Sequence, residues 1–463
     1  MGPVSPEPGE RSGSPLRIAY VLGTTAGGTG PHVAMLARGC AARGLAVRVF
    51  GPAETGRRYF ASRAPGDAAG VGKPAGAGAA AGLDEDAGPD NGATLDGGAT
   101  LDGGATLDGG ATLDGGAGPG DGAGRGSGTG RGPGGLPEFA MVEMADRPRP
   151  AHDLAAVLRL RRLLRDWAPD LVHAHGLRAG AFAALGRAGL PYRLVVTVHN
   201  APPAARPGRV VHAGLERLTA RRADAVIWVS GDLAARMRRA GARDGGRAVV
   251  AAPGFTPPEP GQVAAARDDL GGTGGPAVFA AGRLAEQKGF AVLIDAAARW
   301  QGREPCPRLA IAGEGPLAGA LASQARAAGV PVRFLGRRND VPALMAAADV
   351  VVVPSLWDGQ PLVVQEALRS GRPLVASRVG GIPDLTGEDG ALLVPAGDPG
   401  ALAEAVLSIF DGPDLAARLR AAATERSKAL PGDGDAVDSA IALYRRVLDG
   451  ARGRTEQKAP NRS

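Results

Sequence analysis

Cysteine is nearly missing from this 463-residue chain: there are two, Cys40 and Cys306. They lie far apart and match no metal-ligand spacing, so a disulfide framework is excluded and a reducing compartment fits best. Aromatic residues make up 4%, and no stacking platform or basic stripe of the kind that binds nucleic acid stands out. No apolar run approaches the roughly 18–20 residues of a membrane span, and no basic-then-apolar leader opens the chain. The expectation is a soluble, cytoplasmic protein. Lysine is also scarce: Lys73, Lys288, Lys428 and Lys458 are the only four among 53 basic residues. With so much Ala, Gly and Arg, this reads as a coding bias towards GC-rich codons, which makes the net charge of +6 weak evidence for a polyanionic partner; no nucleic acid is expected.

Hydrophobic residues make up 44% and charged residues 22%, ordinary values for a globular protein of two or three domains. Gly and Pro are abundant, and much of the excess falls in one place. From about 61 to 137 the chain is rich in Gly and poor in large apolar residues, and the unit A-T-L-D-G-G repeats four times from Ala93 to Gly116. One Leu per repeat buries too little to offset the entropy of ordering so much Gly, so a disordered insertion is expected rather than a calcium-binding β-roll. The tails, 1–15 and 451–463, read the same way.

Elsewhere short apolar runs alternate with helical periodicity. Leu16–Leu22, Ala46–Phe50, Phe139–Met144, Asp170–His173, Leu194–Val198 and Ala225–Val229 read as strands, with helices His32–Arg43 and Leu154–Trp167 between them. A second series, Val278–Ala281, Leu309–Ala312, Val332–Leu335, Val350–Val353 and Leu374–Ala376, follows a Pro- and Gly-bearing linker at 256–275. Such alternation predicts two doubly wound α/β domains, 16–255 and 276–434, with ligands at the carboxyl ends of the strands. A helix at 435–450 comes late enough to cross back onto the first domain.

The most informative stretch is PSLWDGQPLVVQEALRSGRPLVASRVGGIP, Pro354–Pro383. It leaves a strand, and Pro361 suits the first turn of a helix, where its missing N–H costs nothing. Asp358 lies on the loop, and Glu366 follows Pro361 by about 1.5 turns, roughly 7.5 Å. Two carboxylates so placed can hydrogen-bond different hydroxyls of one ligand, while the free N–H groups from Gly359 through Gln360 and Pro361 to Leu362 suit a phosphate or sugar oxygen. The plainer alternative is a loop aspartate and a solvated helical glutamate.

This stretch resembles the retaining glycosyltransferases of family 4, whose motif sets two acids seven residues apart within an acidic-Gly-x-Pro and Glu-Ala context. Asp358-Gly359-Gln360-Pro361 and Glu366-Ala367 match it. GRLAEQKG (Gly282–Gly289), AGEGP (Ala312–Pro316), FLGRRNDVPALMAAADVVVVPS (Phe334–Ser355) and VGGIPD (Val379–Asp384) continue the resemblance across nearly the whole second domain. It implies a GT-B fold, two Rossmann-like domains facing a cleft, and transfer of a sugar from a nucleoside diphosphate sugar without a metal or other cofactor. Arg283 and Lys288 would bind the donor diphosphate, a planar fork and a point charge five residues apart across a turn. Asp358 and the backbone of residues 359–362 would hold the sugar, and Glu366 the ribose. In the first domain GTTAGGTGPHVAMLA (Gly23–Ala37) is similar to the family's glycine loop, which makes Gly27 and Gly28 donor-binding candidates.

The family carries its active-site histidine in a Pro-Asp-x-x-His-x-His stretch, matched here by Pro169–His175. His175 is preferred because it is read as lying past the strand, in the loop. By pleat parity His173 and His175 would share a face if the strand continued, so His173 stays open. His199, at the end of another strand, is a further candidate. Asp84-Glu85-Asp86 imitates the motif of metal-dependent transferases but sits inside the low-complexity insertion, and no metal site is assigned.

Two departures from the family pattern stand out. Asp358 replaces the more usual Glu, shortening the side chain by a methylene, and Pro253-Gly254 replaces Asn-Gly after the first domain. The rival readings are a non-catalytic nucleotide-sugar-binding protein and a nucleoside-diphosphate-sugar epimerase. The sugar, base and acceptor (glycan, lipid or small molecule) are left open. The basic amphipathic segment Pro207–Arg222 is read as either an outer-layer helix or a peripheral contact with the inner face of a membrane.

Overall fold

The computed structural model describes residues 14–23, 28–60, 137–145, 148–199, 206–252 and 255–456. Gly27, Pro253-Gly254, Asp84-Glu85-Asp86 and the repeat of 93–116 lie outside them. Both sheets belong to one compact unit. In chain order the first lobe comprises β1 (Arg17–Leu22), α1 (Thr29–Ala42), β2 (Ala46–Gly51), α2 (Ala53–Tyr59), β3 (Glu138–Met141), α3 (Pro150–Trp167) and β4 (Leu171–His175). It continues with α4 (Leu177–Gly186), β5 (Arg193–Val198), α5 (Arg206–Arg222), β6 (Ala225–Trp228), α6 (Gly231–Ala240) and β7 (Gly245–Arg247).

The second lobe begins with α7 (Pro260–Asp269), β8 (Ala277–Ala281), α8 (Phe290–Ala297), β9 (Arg308–Ala312), α9 (Ala318–Ala327), β10 (Val332–Phe334) and α10 (Val341–Ala347). Then come β11 (Val350–Val353), α11 (Leu362–Arg369), β12 (Leu374–Ser377), α12 (Ile382–Thr386), β13 (Leu392–Val394), α13 (Pro399–Asp411), α14 (Pro413–Lys428) and the long α15 (Asp433–Glu456).

Both sheets are parallel, in the orders β3-β2-β1-β4-β5-β6-β7 and β10-β9-β8-β11-β12-β13. Each strand is buried on both faces, which is why its residues read as apolar runs. In β1, Ile18, Tyr20 and Leu22 join a core with α1 and α15, while Ala19 and Val21 join another with α3 and α4. The strand order reverses between β1 and β4 in one sheet and between β8 and β11 in the other. Those switch points open crevices at the carboxyl ends of the strands, where the loops bearing Gly28, His175, Lys288 and Asp358 emerge. This is the doubly wound, GT-B-like arrangement.

Some elements differ from the sequence reading. The segment 256–275, read as a linker, contains α7, which starts in a reciprocal Glu259–Gln262 capping box and buries Ala266 and Leu270 in the second-lobe core. Flanking Gly and Pro masked that start signal. Strands β7 and β13 carry no sequence signal of their own: Gly245-Gly246-Arg247 is a strand only because β6 offers its free edge. Helix α15 lies on α1, with Val437 over Gly39 and the Tyr444 hydroxyl 2.8 Å from that of Tyr20.

Candidate functional site

The second lobe assembles its part of the site from two loops. Gly289 takes a left-handed φ of 67°, and a Cβ there would fall 1.9 Å from the carbonyl oxygen of Pro354. Only glycine permits that approach. Beside it the Leu356 N–H donates to the Gln287 carbonyl at 2.8 Å. The loop after β8 is thereby fastened to the loop after β11, and Lys288 Nζ comes to 2.5 Å from Asp358 Oδ2, with the Ser355 hydroxyl 3.4 Å from the same oxygen. Asp358 is buried. Arg283 is exposed and, among the described residues, forms no ion pair.

Pro361 is the N-cap of α11, not a first-turn residue; the helix starts at Leu362. Its first N–H groups therefore point back over the Asp358–Pro361 loop, the positive end of the helix facing the lysine and arginine. Glu366 lies farther along α11, half-buried, and burial pushes its carboxyl pKa up while Arg369 opposes the shift. The Gly381 N–H donates to the Asp358 carbonyl at 3.1 Å, which holds the Val379–Asp384 loop on the same loop.

In the first lobe β4 continues through His175, which is the last residue of the strand and not, as read, in the loop. Pairing with β5 out to Thr197 carries it that far. His173 and His175 then share a face, ring centroids 4.2 Å apart. His173 is fully partnered: Nδ1 is 2.7 Å from the Tyr444 hydroxyl and Nε2 2.7 Å from the Thr197 hydroxyl. His175 Nδ1 is 3.2 Å from His199 Nε2, and its own Nε2 is buried without a partner. Desolvation lowers the pKa of His173 and of His199 to about 3, and that of His175 well below 6.5, with neighbouring imidazoles adding to the shift. All three are neutral at pH 7.

Two functional neighbours escaped the sequence reading. His32, on α1, passes for a helix-surface residue in sequence but is buried and hydrogen-bonds the Ala251 backbone; burial lowers its pKa to about 4. Gln365, next to Glu366, is wholly buried: its Nε2 donates to the Val250 carbonyl at 2.7 Å, and its Oε1 accepts from the Ala252 N–H at 3.1 Å. A polar residue among the apolar positions Val364, Ala367 and Leu368 was the available signal.

The lobes meet at these loops. A Cβ on Gly359 would fall 2.3 Å from Val229 Cγ2 and 3.4 Å from the His199 carbonyl oxygen, and Leu362 lies against Gly28. Trp357 Nε1 donates to Asp232 at 2.9 Å, and Arg247 pairs with Asp384 at 2.8 Å. The structure therefore brings Lys288, Asp358 and the start of α11 to the His199 side of the first lobe. Chemically this sets cations and a helix N-terminus opposite neutral imidazoles, an arrangement that can stabilise negative charge growing on a ligand held between them.

No group of three or more His, Cys, Asp or Glu among the described residues is arranged to hold a metal. No described helix is long and apolar enough to cross a membrane. Helix α5 lies between α4 and α6 as part of the outer layer, leaving Val210 and Val211 exposed near its start.

Comparison with known proteins agrees with this geometry. Residues 275–411 match the profile described as Glycosyl transferases group 1, and residues 119–258 match Glycosyltransferase Family 4. The 2-deoxystreptamine N-acetyl-D-glucosaminyltransferase of Streptomyces fradiae is 31% identical over 331 residues, 65% of this chain and 76% of that protein. The 2-deoxystreptamine glucosyltransferase of Streptomyces kanamyceticus is 29% identical over 321 residues, 64% and 82% of the two chains. Among solved structures, Anabaena HepE in complex with UDP and glucose superposes with a TM-score of 0.66 at 17% identity, covering 92% of this chain and 99% of that one.

Proposed function

The chain belongs to the family 4, group 1 glycosyltransferases and is a nucleotide-sugar-dependent transferase, and from that premise we propose that it is a retaining, metal-independent enzyme acting on an acceptor hydroxyl. The observation that carries this reading is the meeting of Lys288, Asp358 and the start of α11 beside His199. As the bond from the sugar's anomeric carbon to the diphosphate breaks, negative charge grows on the leaving phosphate. Lys288, Arg283 and the first N–H groups of α11 stabilise it, the electrostatic contribution expected to dominate.

Glu366 holds the ribose hydroxyls. The Lys288–Asp358 pair exchanges partners when donor arrives: Lys288 turns to the diphosphate, and Asp358, with the backbone of residues 359–362, takes sugar hydroxyls. Neutral His175 orients the sugar from the first lobe. The acceptor hydroxyl attacks on the face the diphosphate leaves, and its proton passes to the departing phosphate oxygen, so the anomeric configuration is kept.

The test is turnover with a panel of donors and acceptors, with and without chelator. UDP-sugars come first, because the HepE structure holds UDP and glucose. 2-Deoxystreptamine leads the acceptors, because two relatives are named for it. Transfer that survives EDTA and gives a product of unchanged anomeric configuration supports the proposal. Inversion, or loss of activity restored by a divalent cation, overturns that part of it. Peripheral membrane contact through the exposed Val210–Val211 start of α5 is a separate element, refuted if the protein stays with the soluble fraction when anionic liposomes are floated.

A further inference from the structure

Behind His175, within the first lobe and roofed by α15, lies a cavity of about 280 Å³. His32, His175, Arg247, Ser439 and Arg446 line its polar side, and Leu36, Ile227 and Leu443 its apolar walls. The roof is built largely of small residues, Ala436, Ala440 and Ala442, which is what leaves the space open. Two ring nitrogens on its wall, His32 Nδ1 and His175 Nε2, are buried with no hydrogen-bond partner, and each imidazole is only 5% exposed. Buried polar atoms are ordinarily satisfied, so an orphaned pair facing one cavity calls for a partner that belongs there.

The protonation states narrow its chemistry. His32 gives its one proton to the Ala251 backbone carbonyl, so Nδ1 presents a bare lone pair. His175 shares one hydrogen bond with His199 through Nδ1, so its Nε2 can present a proton or a lone pair, whichever the His199 tautomer leaves it. An anion has nothing to donate to His32 Nδ1. A cation would sit between Arg247 and Arg446. A hydroxyl both gives and accepts, and carries no charge to repel either arginine. The apolar walls suit the C–H faces of a ring. We propose that this cavity binds a small neutral polyhydroxyl ring, a monosaccharide or cyclitol, at a site in the first lobe separate from the donor cleft. Its volume, just under the usual range for ligand pockets, admits one ring and no more.

The experiment uses the full chain with ¹⁵N-labelled histidine and three probes, D-glucose, N-acetylglucosamine and myo-inositol. Each is titrated to roughly 100 mM, a large excess over a millimolar Kd. At least one probe should shift the His32 and His175 ring resonances, and should still do so with UDP saturating the cleft. Ala440→Leu, which puts bulk into the cavity from the roof, should weaken that probe by about tenfold or more, while the UDP-induced rise in Tm stays as in the parent.

If the probe is itself glycosylated it is an acceptor; if it only changes turnover of another acceptor it is an effector. Both retain the site. No shift with any probe, equal binding to the Ala440→Leu protein with its UDP response intact, or displacement by UDP overturns it and leaves the cavity to water. Because the UDP response is read separately, failure of this site and failure of the cleft assignment give different results. Should Ala440→Leu not fold, the histidine shifts and UDP competition in the unmodified chain decide alone.

Discussion

The second lobe brings charge to the cleft, and the first brings neutral groups. Arg283, Lys288, Asp358 and Glu366 stand on one side, two of them joined in an ion pair; His173, His175 and His199 stand on the other with their imidazoles stripped of protons by burial. The difference points to a division of labour. Charges can follow a bond as it breaks, and they need a loop that can be approached by water and donor. Neutral buried imidazoles cannot follow charge at that cost, but they hold one geometry, because Tyr444, Thr197 and one another fix their rings.

The sharpest way to break this comparison is to remove charge from the second lobe. Lys288→Ala should lower kcat by about 10²–10³, the scale for losing one preorganised transition-state donor, with circular dichroism unchanged. Near-parent turnover in both Lys288→Ala and Arg283→Ala would remove the charged side from the mechanism.

The neutral side is tested by acid. His32, with a folded pKa of about 4, and His173 and His199, at about 3, take up protons in the unfolded chain near 6.5 but resist them when folded. Their contribution is therefore highest above pH 6.5 and is lost as pH falls from there towards their folded values. At pH 5 the loss is about 2 kcal/mol for each such histidine. Thermal denaturation should show Tm falling from pH 7 to pH 5; a flat profile would mean that the cluster is already wet or charged.

The junction of the two sides gives smaller effects. Gln365→Leu leaves the Val250 carbonyl and the Ala252 N–H buried without partners, so a stability loss of about 2 kcal/mol is expected in urea titration. The donor KM should rise as well, because α11 loses its tie to the first lobe. Trp357→Phe removes one partly exposed hydrogen bond to Asp232 and should cost about 1 kcal/mol or less, seen as a modest rise in donor KM with kcat nearly unchanged.

How much could be read without coordinates differs between the lobes for the same reason. In the second, Asp358 and Glu366 lie in one continuous segment, and Arg283 and Lys288 in another; each segment's function is carried by local spacing, so motif and strand pattern were enough to mark them. What joins Lys288 to Asp358 is the close approach at Gly289, 65 residues from Pro354, which no spacing rule describes. In the first lobe His173 and His175 were marked as a pair, but their choice turned on where β4 ends, and that depends on how far β5 pairs with it. His32 and Gln365 were not marked at all, since burial by distant segments is what makes them more than a helix-surface residue and a misplaced polar one.

By itself the sequence determined the alternation of strand and helix, hence two parallel sheets wound on both sides, and the identity of the charged residues at the strand ends. Those follow from periodicity and from neighbours within a few residues. Only the tertiary structure decided that α15 returns to cover α1, that Tyr444 meets His173, that a cavity stays open beneath alanines, and that four histidines lose their charge. These depend on which segments far apart in the chain exclude water from one another, and desolvation is a property of the packed molecule, not of any stretch of it.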